Sequence, residues 1–186
     1  MAIFKNKEKV CVYIDGSNFY NYLKNKEINI PKGIKFNFKK FIEHLVGGNR
    51  NCISKRYYIG IMKNFDDSKK SQKLVKGQQK FLAEIKNDGF IVKRGRIIYD
   101  QGKIREKGTD VKIAVDLVIG AIDNYYDTAI LISSDTDLIP AIKYVRFKKK
   151  KIEYIGFSHA PSLGIQKYAN YSKLLSLEDL KNFTEV

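Results

Sequence analysis

Several residue types are scarce in this sequence, and each scarcity excludes a class of protein. The 186 residues include two cysteines, three prolines and no tryptophan. Cys11 and Cys52 are too few for a disulfide framework and stand in no zinc-ligand spacing, so both are expected to be buried, reduced thiols. No apolar run approaches the roughly 20 residues that a membrane-spanning helix requires.

Signals for export and for nucleotide cofactors are also missing. The first residues, Met-Ala-Ile-Phe-Lys-Asn-Lys, contain no apolar signal core, so secretion is not expected and the cytoplasm is the predicted location. No Gly-x-Gly-x-x-Gly or Walker motif occurs, which argues against a nucleotide cofactor. His44 and His159 stand in no paired pattern, which disfavours a ribonuclease mechanism based on histidine.

Acidic residues are outnumbered, since 35 lysines and arginines face 20 aspartates and glutamates for a net charge of +15. An excess of this size favours a polyanionic partner, most often nucleic acid. The chain is also rich in Lys, Ile, Asn and Tyr together, as proteins from AT-rich genomes are, and this bias can explain part of the excess. Where the positive charges lie therefore matters more than their sum.

Strand-like and helical patterns alternate along the chain, which predicts an α/β fold with βαβ units and a mostly parallel sheet. The strand-like runs lie at about 9–15, 55–62, 90–94, 129–133 and 151–157, with a short sixth at 173–176. The helical patterns lie at about 18–24, 36–46, 68–87, 110–124, 137–148 and 161–170. Residues 96–108 predict a small hairpin with its turn at 100–102. We expect one domain at 9–180, between an extension (1–8) and a tail (181–186).

Acidic residues stand where two of these strands end. Asp15 follows the apolar run Val10–Ile14, and Asp135 and Asp137 follow Ile130–Ile132. In an open α/β sheet, this strand-to-helix edge is where ligands bind. Each acid alone has a plain alternative as a turn residue or a helix cap. Together they suggest a shared cation site.

A further acid, Asp110, opens the helix predicted at 110–124. An apolar stripe recurs along that helix at amphipathic spacing: Val111, Ala114, Val115, Val118, Ile119 and Ile122. Asp116 lies on the same helix but about 120° and 9 Å from Asp110, so the two can hardly share one ion and Asp110 is the better candidate. Crowded carboxylates repel unless a cation joins them, and an all-oxygen set favours Mg²⁺ or Mn²⁺.

Three motifs in this order resemble a known family. They are Val-Tyr-Ile-Asp15-Gly-Ser-Asn18-Phe, Lys107-Gly-Thr-Asp110-Val-Lys-Ile-Ala-Val-Asp116-Leu and Ile-Leu-Ile-Ser-Ser-Asp135-Thr-Asp137-Leu-Ile-Pro140. The chain is similar over about residues 9–180 to the NYN domain, in its LabA-like branch, within the PIN-like nuclease superfamily. One departure is Asn170, where this family often has an acid.

The resemblance implies a three-layer Rossmann-like fold with strand order 3-2-1-4-5 and a divalent-metal ribonuclease site. By motif match, the metal-binding and catalytic acids are Asp15, Asp110, Asp135 and Asp137, with Asn18 as a polar neighbour. That order places strand one beside strand four, where the crevice opens. A metal held there would activate water and neutralise charge on the phosphate. Ser133 and Ser134 either orient water or phosphate or are ordinary strand-end hydroxyls.

Basic residues that follow strands are predicted to share the edge of the acids and to bind RNA. This set comprises Lys63, Arg94, Arg96, Arg105 and Lys107, with Tyr99 among them to stack on a base. The run Lys148–Lys151 precedes a strand and is predicted to lie at the opposite edge. Single-stranded RNA is the expected substrate, and the sequence leaves DNA open.

Two other functions fit part of the pattern. An RNA-binding or scaffolding module with weak or no catalysis would keep the basic edge without turnover. A phosphatase of the haloacid dehalogenase type needs a second aspartate where Ser17 stands, so we discount it. The chain also has many aromatic residues, and those that are exposed could form the contact surface of a homodimer.

Overall fold

The computed structural model describes residues 6–23, 35–62, 68–100 and 103–185; of residues 35, 99, 100 and 103–105 it describes the backbone only. The strands are β1 (Lys9–Asp15), β2 (Lys35–Phe36), β3 (Asn51–Ile61), β4 (Ile91–Asp100), β5 (Lys103–Lys107), β6 (Thr128–Ile132), β7 (Lys151–Phe157), β8 (Tyr171–Leu175) and β9 (Thr184–Glu185). The helices are α1 (Gly16–Leu23), α2 (Phe38–Val46), α3 (Lys69–Asn87), α4 (Thr109–Ile122), α5 (Ile139–Phe147), α6 (Leu163–Tyr168) and α7 (Leu177–Lys181). A 3-10 turn at Thr136–Leu138 precedes α5.

The central sheet has the order β5-β4-β3-β1-β6-β7-β8. Its middle five strands are those predicted from the sequence, in the predicted order, so the Rossmann-like α/β fold is confirmed. The predicted short sixth strand is present as β8, which pairs with β7 at one side of the sheet, and the antiparallel strand β5 pairs with β4 at the other side. Strand β1 pairs in parallel with both β3 and β6, so that Ile14 lies between Tyr57 and Ile132. The predicted hairpin is present as β4 and β5, although Gln101 and Gly102 of its turn lie outside the described residues.

The central strand is buried on both faces, which explains its unbroken apolar sequence. Val12 and Ile14 belong to a cluster with residues of α1, α2 and α3, whereas Cys11 and Tyr13 pack on the other face with residues of α4 and α5. Cys11 is a buried free thiol and Cys52 a half-buried one. Because α-helices cover both faces, ligands can approach the sheet only along its edges.

Helix α4 packs with a different face from the one that its apolar stripe indicates. The inward residues are Ile113, Leu117, Gly120 and Ala121, while Val111, Val115, Ile119 and Ile122 are exposed. A Cβ atom on Gly120 would come within 2.5 Å of the Tyr126 ring, so the glycine allows close packing on this face. The helix is apolar on almost all sides, and periodicity alone therefore could not show which side faces the sheet.

The last part of the chain continues the fold beyond residue 180. Ser176 and Asp179 form a reciprocal capping box at the start of α7. Phe183 is buried, and β9 pairs with β2 in a separate antiparallel ribbon. The predicted domain bounds of 9–180 remain a prediction. Among the described helices, none is both long and apolar enough to cross a membrane.

Candidate metal centre and nucleic-acid edge

Three of the predicted acids meet at the carboxyl ends of the central strands. One carboxylate oxygen from each of Asp110, Asp135 and Asp137 lies within 4.8 Å of the other two. Asp110 and Asp135 are half-buried and Asp137 is exposed. Among the side chains that the structure describes, no lysine, arginine or histidine forms an ion pair with any of the three. The arrangement concentrates negative charge, and a cation is its natural counterpart.

Local structure places each of these carboxylates. The fully buried strand β6 ends at Ile132, and the Asp135 side chain then accepts a hydrogen bond from the Asp137 backbone N–H (2.9 Å) to cap the 3-10 turn. Asp110 occupies the first turn of α4, whose N-cap residue Gly108 has the left-handed φ of 79° and offers no side-chain cap. A carboxylate at a helix N-terminus is stabilised by the helix dipole.

Asp15 lies outside this three-oxygen cluster and has partners of its own. Its side chain is 5% exposed. Oδ1 accepts the Asn18 backbone N–H (3.0 Å), and Oδ2 accepts both the Asn18 side-chain amide (2.5 Å) and the Ser133 hydroxyl (3.0 Å). Donors thus occupy both oxygens, and Asp15 organises the start of α1 against the end of β6.

The two serines after β6 connect Asp15 to the acidic cluster. The Ser133 hydroxyl donates to Asp15 and accepts the backbone N–H of Asp135 (3.1 Å). The Ser134 hydroxyl donates to the side-chain oxygen of Asn18 (2.5 Å). Ser133 is buried and Ser134 half-buried. Both hydroxyls therefore belong to the network that positions the acids.

Burial raises the pKa of the Asp15 carboxyl above its ordinary value. The hydrogen bonds from Asn18 and Ser133 act in the opposite direction, and the nearby charge of Glu106 raises the pKa further. A cation close to Asp15 would favour its ionised form.

Glu106 is an acidic neighbour of the site that the sequence analysis did not single out. Its carboxylate, on β5, accepts hydrogen bonds from the Ser17 and Thr109 hydroxyls. A Cβ atom on Gly60 would lie 3.0 Å from the Glu106 carboxyl carbon. The Glu106 side chain therefore occupies space that is free because Gly60 has no side chain. Glu106 thereby joins the residue after Gly16 to the residue before Asp110. No local signal reveals this, because Ser17 and Glu106 are 89 positions apart.

The predicted basic residues lie in part on the β4–β5 hairpin, at the same edge. Arg94, Arg96 and Lys107 are exposed. Arg96 pairs in register with Ile61 at the end of β3 and with Lys107 on β5. Lys63 lies outside the described residues, and the side chains of Arg105 and Tyr99 are not among those described.

The run Lys148–Lys151 lies at the opposite edge, where the strands begin. Lys150 forms an ion pair with Asp127 (3.6 Å) and Lys151 with Glu8 (3.2 Å). These acids immediately precede β6 and β1. The charges of two of the four lysines are therefore partly compensated by acids of the protein itself.

Comparison with known proteins identifies a family and a solved structure with the same fold. The family model of the NYN domain matches residues 9–173. The crystal structure of a protein of unknown function from Vibrio parahaemolyticus superposes with a TM-score of 0.69 at 20% identity, over 97% of this chain and 98% of that one. This likeness shows the fold. No curated protein matches the sequence.

Proposed function

The chain belongs to the NYN domain family of the PIN-like nuclease superfamily, and on that premise we propose that it is a ribonuclease that hydrolyses RNA phosphodiester bonds with Mg²⁺ or Mn²⁺. The observation that carries this proposal is the cluster of Asp110, Asp135 and Asp137. The exposed basic hairpin at the same edge supports a polyanionic substrate. We assign single-stranded RNA because its phosphates and bases are accessible together, and the cytoplasm remains the predicted location.

The donor set fits a hard divalent cation. All three ligands are carboxylates, which Mg²⁺ and Mn²⁺ prefer over the nitrogen and sulfur ligands typical of zinc. Oxygens about 2.1 Å from one Mg²⁺ are at most about 4.2 Å apart. The observed limit of 4.8 Å therefore requires only a small closing movement of the side chains. Such a cation, when bound, would neutralise charge on the phosphate and lower the pKa of a water molecule that it binds.

The protein's own residues would prepare that site. Asp15 holds Asn18 in place through two hydrogen bonds, to its backbone and to its side-chain amide, and Ser134 holds the side-chain oxygen of the same residue. A fixed amide beside the carboxylates can orient a water molecule or a phosphate oxygen without reorganisation during the reaction. Glu106 keeps Thr109, and with it the first turn of α4, against the start of α1.

The exposed side chains of the hairpin would hold the substrate. Arg94, Arg96 and Lys107 present positive charge beside an acidic centre. Cutting a polyanion requires both features, because the acids alone would repel the phosphates. Guanidinium groups also bind phosphate through two parallel hydrogen bonds, which fixes the orientation of the strand.

The test is incubation of the purified chain with labelled single-stranded RNA, double-stranded RNA and single-stranded DNA. Each substrate is incubated with Mn²⁺, with Mg²⁺ or with a chelator. We expect metal-dependent cleavage of single-stranded RNA that the chelator abolishes. Tight RNA binding without cleavage under any condition would reject the enzyme and favour the binding module. Cleavage that persists in chelator would assign the activity elsewhere.

A further inference from the structure

The strongest unexplained feature is the outer face of helix α4. Val111 is 59% exposed, and Val115, Ile119 and Ile122 are each close to half exposed. At about 100° per residue these four side chains lie within about 80° of one another, so they form one continuous stripe on the side opposite Ile113 and Leu117. We call Val111, Val115, Ile119 and Ile122 the outer stripe.

A helix that is apolar on both sides is normally covered on both sides. The inner side of α4 is covered by the sheet and by Tyr126, but within the described residues nothing buries the outer stripe. Fourteen residues are also too few for α4 to span a bilayer. The outer stripe therefore has the character of a protein contact surface.

Charge argues against RNA or an anionic membrane as the occupant. The chain carries +15 overall, yet the charged residues of α4 and its end that lie beside the outer stripe are one lysine, Lys112, and one aspartate, Asp123. A surface for phosphates would carry an excess of basic residues. Asp116 of α4 is already compensated by Arg56 (3.2 Å) and Lys93 (3.1 Å).

The positions of the remaining charged residues favour a second copy of the same chain as the partner that covers the outer stripe. Lys112 lies near the start of α4, Asp123 just beyond its end, and both fall on the same flank of the outer stripe, within about 20° of each other around the axis. Two antiparallel copies related by a twofold axis would place Lys112 of each chain beside Asp123 of the other. The midpoint of the outer stripe and the midpoint between Lys112 and Asp123 lie within about one residue, or 1.5 Å, of each other along the helix. A single twofold axis can therefore bring the two stripes together and form both charge pairs.

We propose that the outer stripe is a self-association surface that forms a twofold homodimer through antiparallel α4 helices. Each such contact buries the same patch on both chains, and the Lys112–Asp123 pair occurs twice. Helix α5, which packs beside α4, also carries exposed aromatic side chains, Tyr144 and Phe147, the latter 74% exposed. A stable dimer buries about 800 Å² per partner, which the stripe reaches only with such neighbours. In the single chain Lys112 donates to the Arg94 carbonyl, and its flexible side chain exchanges that partner for Asp123.

The first experiment measures the mass of the intact chain in solution by light scattering and sedimentation equilibrium over a range of concentrations. Wild type is expected to be dimeric. Val115→Lys with Ile119→Lys should give a monomer whose circular dichroism and melting temperature match those of wild type. The matched control is Leu74→Lys, because Leu74 on α3 is 52% exposed but lies outside the stripe. A wild type that stays monomeric up to sub-millimolar concentration would overturn the proposal.

A charge exchange then tests the antiparallel geometry. Lys112→Asp and Asp123→Lys each create two like-charge contacts and should weaken the dimer about tenfold or more. The double exchange restores opposite charges and should recover most of the wild-type affinity. Both substitutions put the new charge at the helix end that favours it, so folding is not expected to suffer. A double exchange that associates no better than the single ones would refute the antiparallel pairing, whatever the outcome of the nuclease test.

Discussion

Acidic residues at the two ends of the parallel strands differ in whether they form ion pairs. At the edge where strands begin, Glu8, Asp127 and Glu153 each have a basic partner, with distances of 3.2, 3.6 and 2.6 Å. At the edge where strands end, three acids share a space of 4.8 Å and have no ion pair among the described side chains. The chain has 35 basic residues, so a shortage of cations cannot explain the difference. The acids of the first edge are neutralised by basic side chains of the protein, whereas the three acids of the second edge can bind an external cation.

The largest effect is expected from Asp135→Asn. The change keeps the side-chain shape but removes one charge from the proposed metal site, so metal-dependent cleavage should fall at least about 100-fold. The unfolding free energy without metal should be unchanged or slightly higher, because crowded like charges are relieved. Initial cleavage rates and thermal melting measure the two effects. The control from the other edge is Asp127→Asn, which should retain cleavage; a comparable loss there would erase the distinction between the edges.

Metal binding gives the next prediction. Mn²⁺ at about 100 times its dissociation constant should stabilise the folded wild type by about 2.7 kcal/mol, a rise of several degrees in melting temperature. Asp135→Asn should lose most of this rise. Calorimetric melting with and without Mn²⁺ tests it. An equal rise in both proteins would place the bound metal outside the cluster.

The basic residues of the two edges should differ in their effect on RNA affinity. Replacing Arg94 and Arg96 by Ala should weaken binding and lower the salt-dependence slope, by about 0.7 for each phosphate that is no longer neutralised. The same change at Lys149 and Lys150 should do much less, because Lys150 already pairs with Asp127. Binding titrations at several salt concentrations distinguish the pairs. Equal slopes for the two variants would show that the edge does not determine which residues bind RNA.

The smallest effect concerns Glu8. The Thr128 hydroxyl bond, aided by Lys151, holds the pKa of Glu8 below its ordinary value of 4.5, although burial opposes the shift. A lowered pKa in the folded state stabilises the fold above pH 4.5, and this contribution is lost as the pH falls through the folded value. Glu8→Gln should therefore cost at most about 1 kcal/mol at neutral pH and nothing in strong acid. Urea unfolding at several pH values measures the difference; a gap that widens in acid would contradict the sign.

Some of this protein follows from its sequence alone. The unbroken apolar runs at Val10–Ile14 and Ile130–Ile132 predicted buried parallel strands, because only a strand covered on both faces tolerates such a run. The acids that follow these strands then had to lie at the same edge, since parallel strands share their direction. This local logic correctly predicted the central strands. Asp110 follows neither of these two strands, and the structure brings it together with Asp135 and Asp137.

Only the tertiary structure decided the rest. Helix α4 is apolar around most of its circumference, so periodicity could not show which face packs inward, and the structure places the face with Gly120 closely against Tyr126. Asp15 bonds to Ser133, which is 118 positions away along the chain, and Glu106 bonds to Ser17, which is 89 positions away. Hydrogen bonds and close packing require remote segments to be positioned to within a few tenths of an ångström. A pattern of residue types along one segment carries no such information.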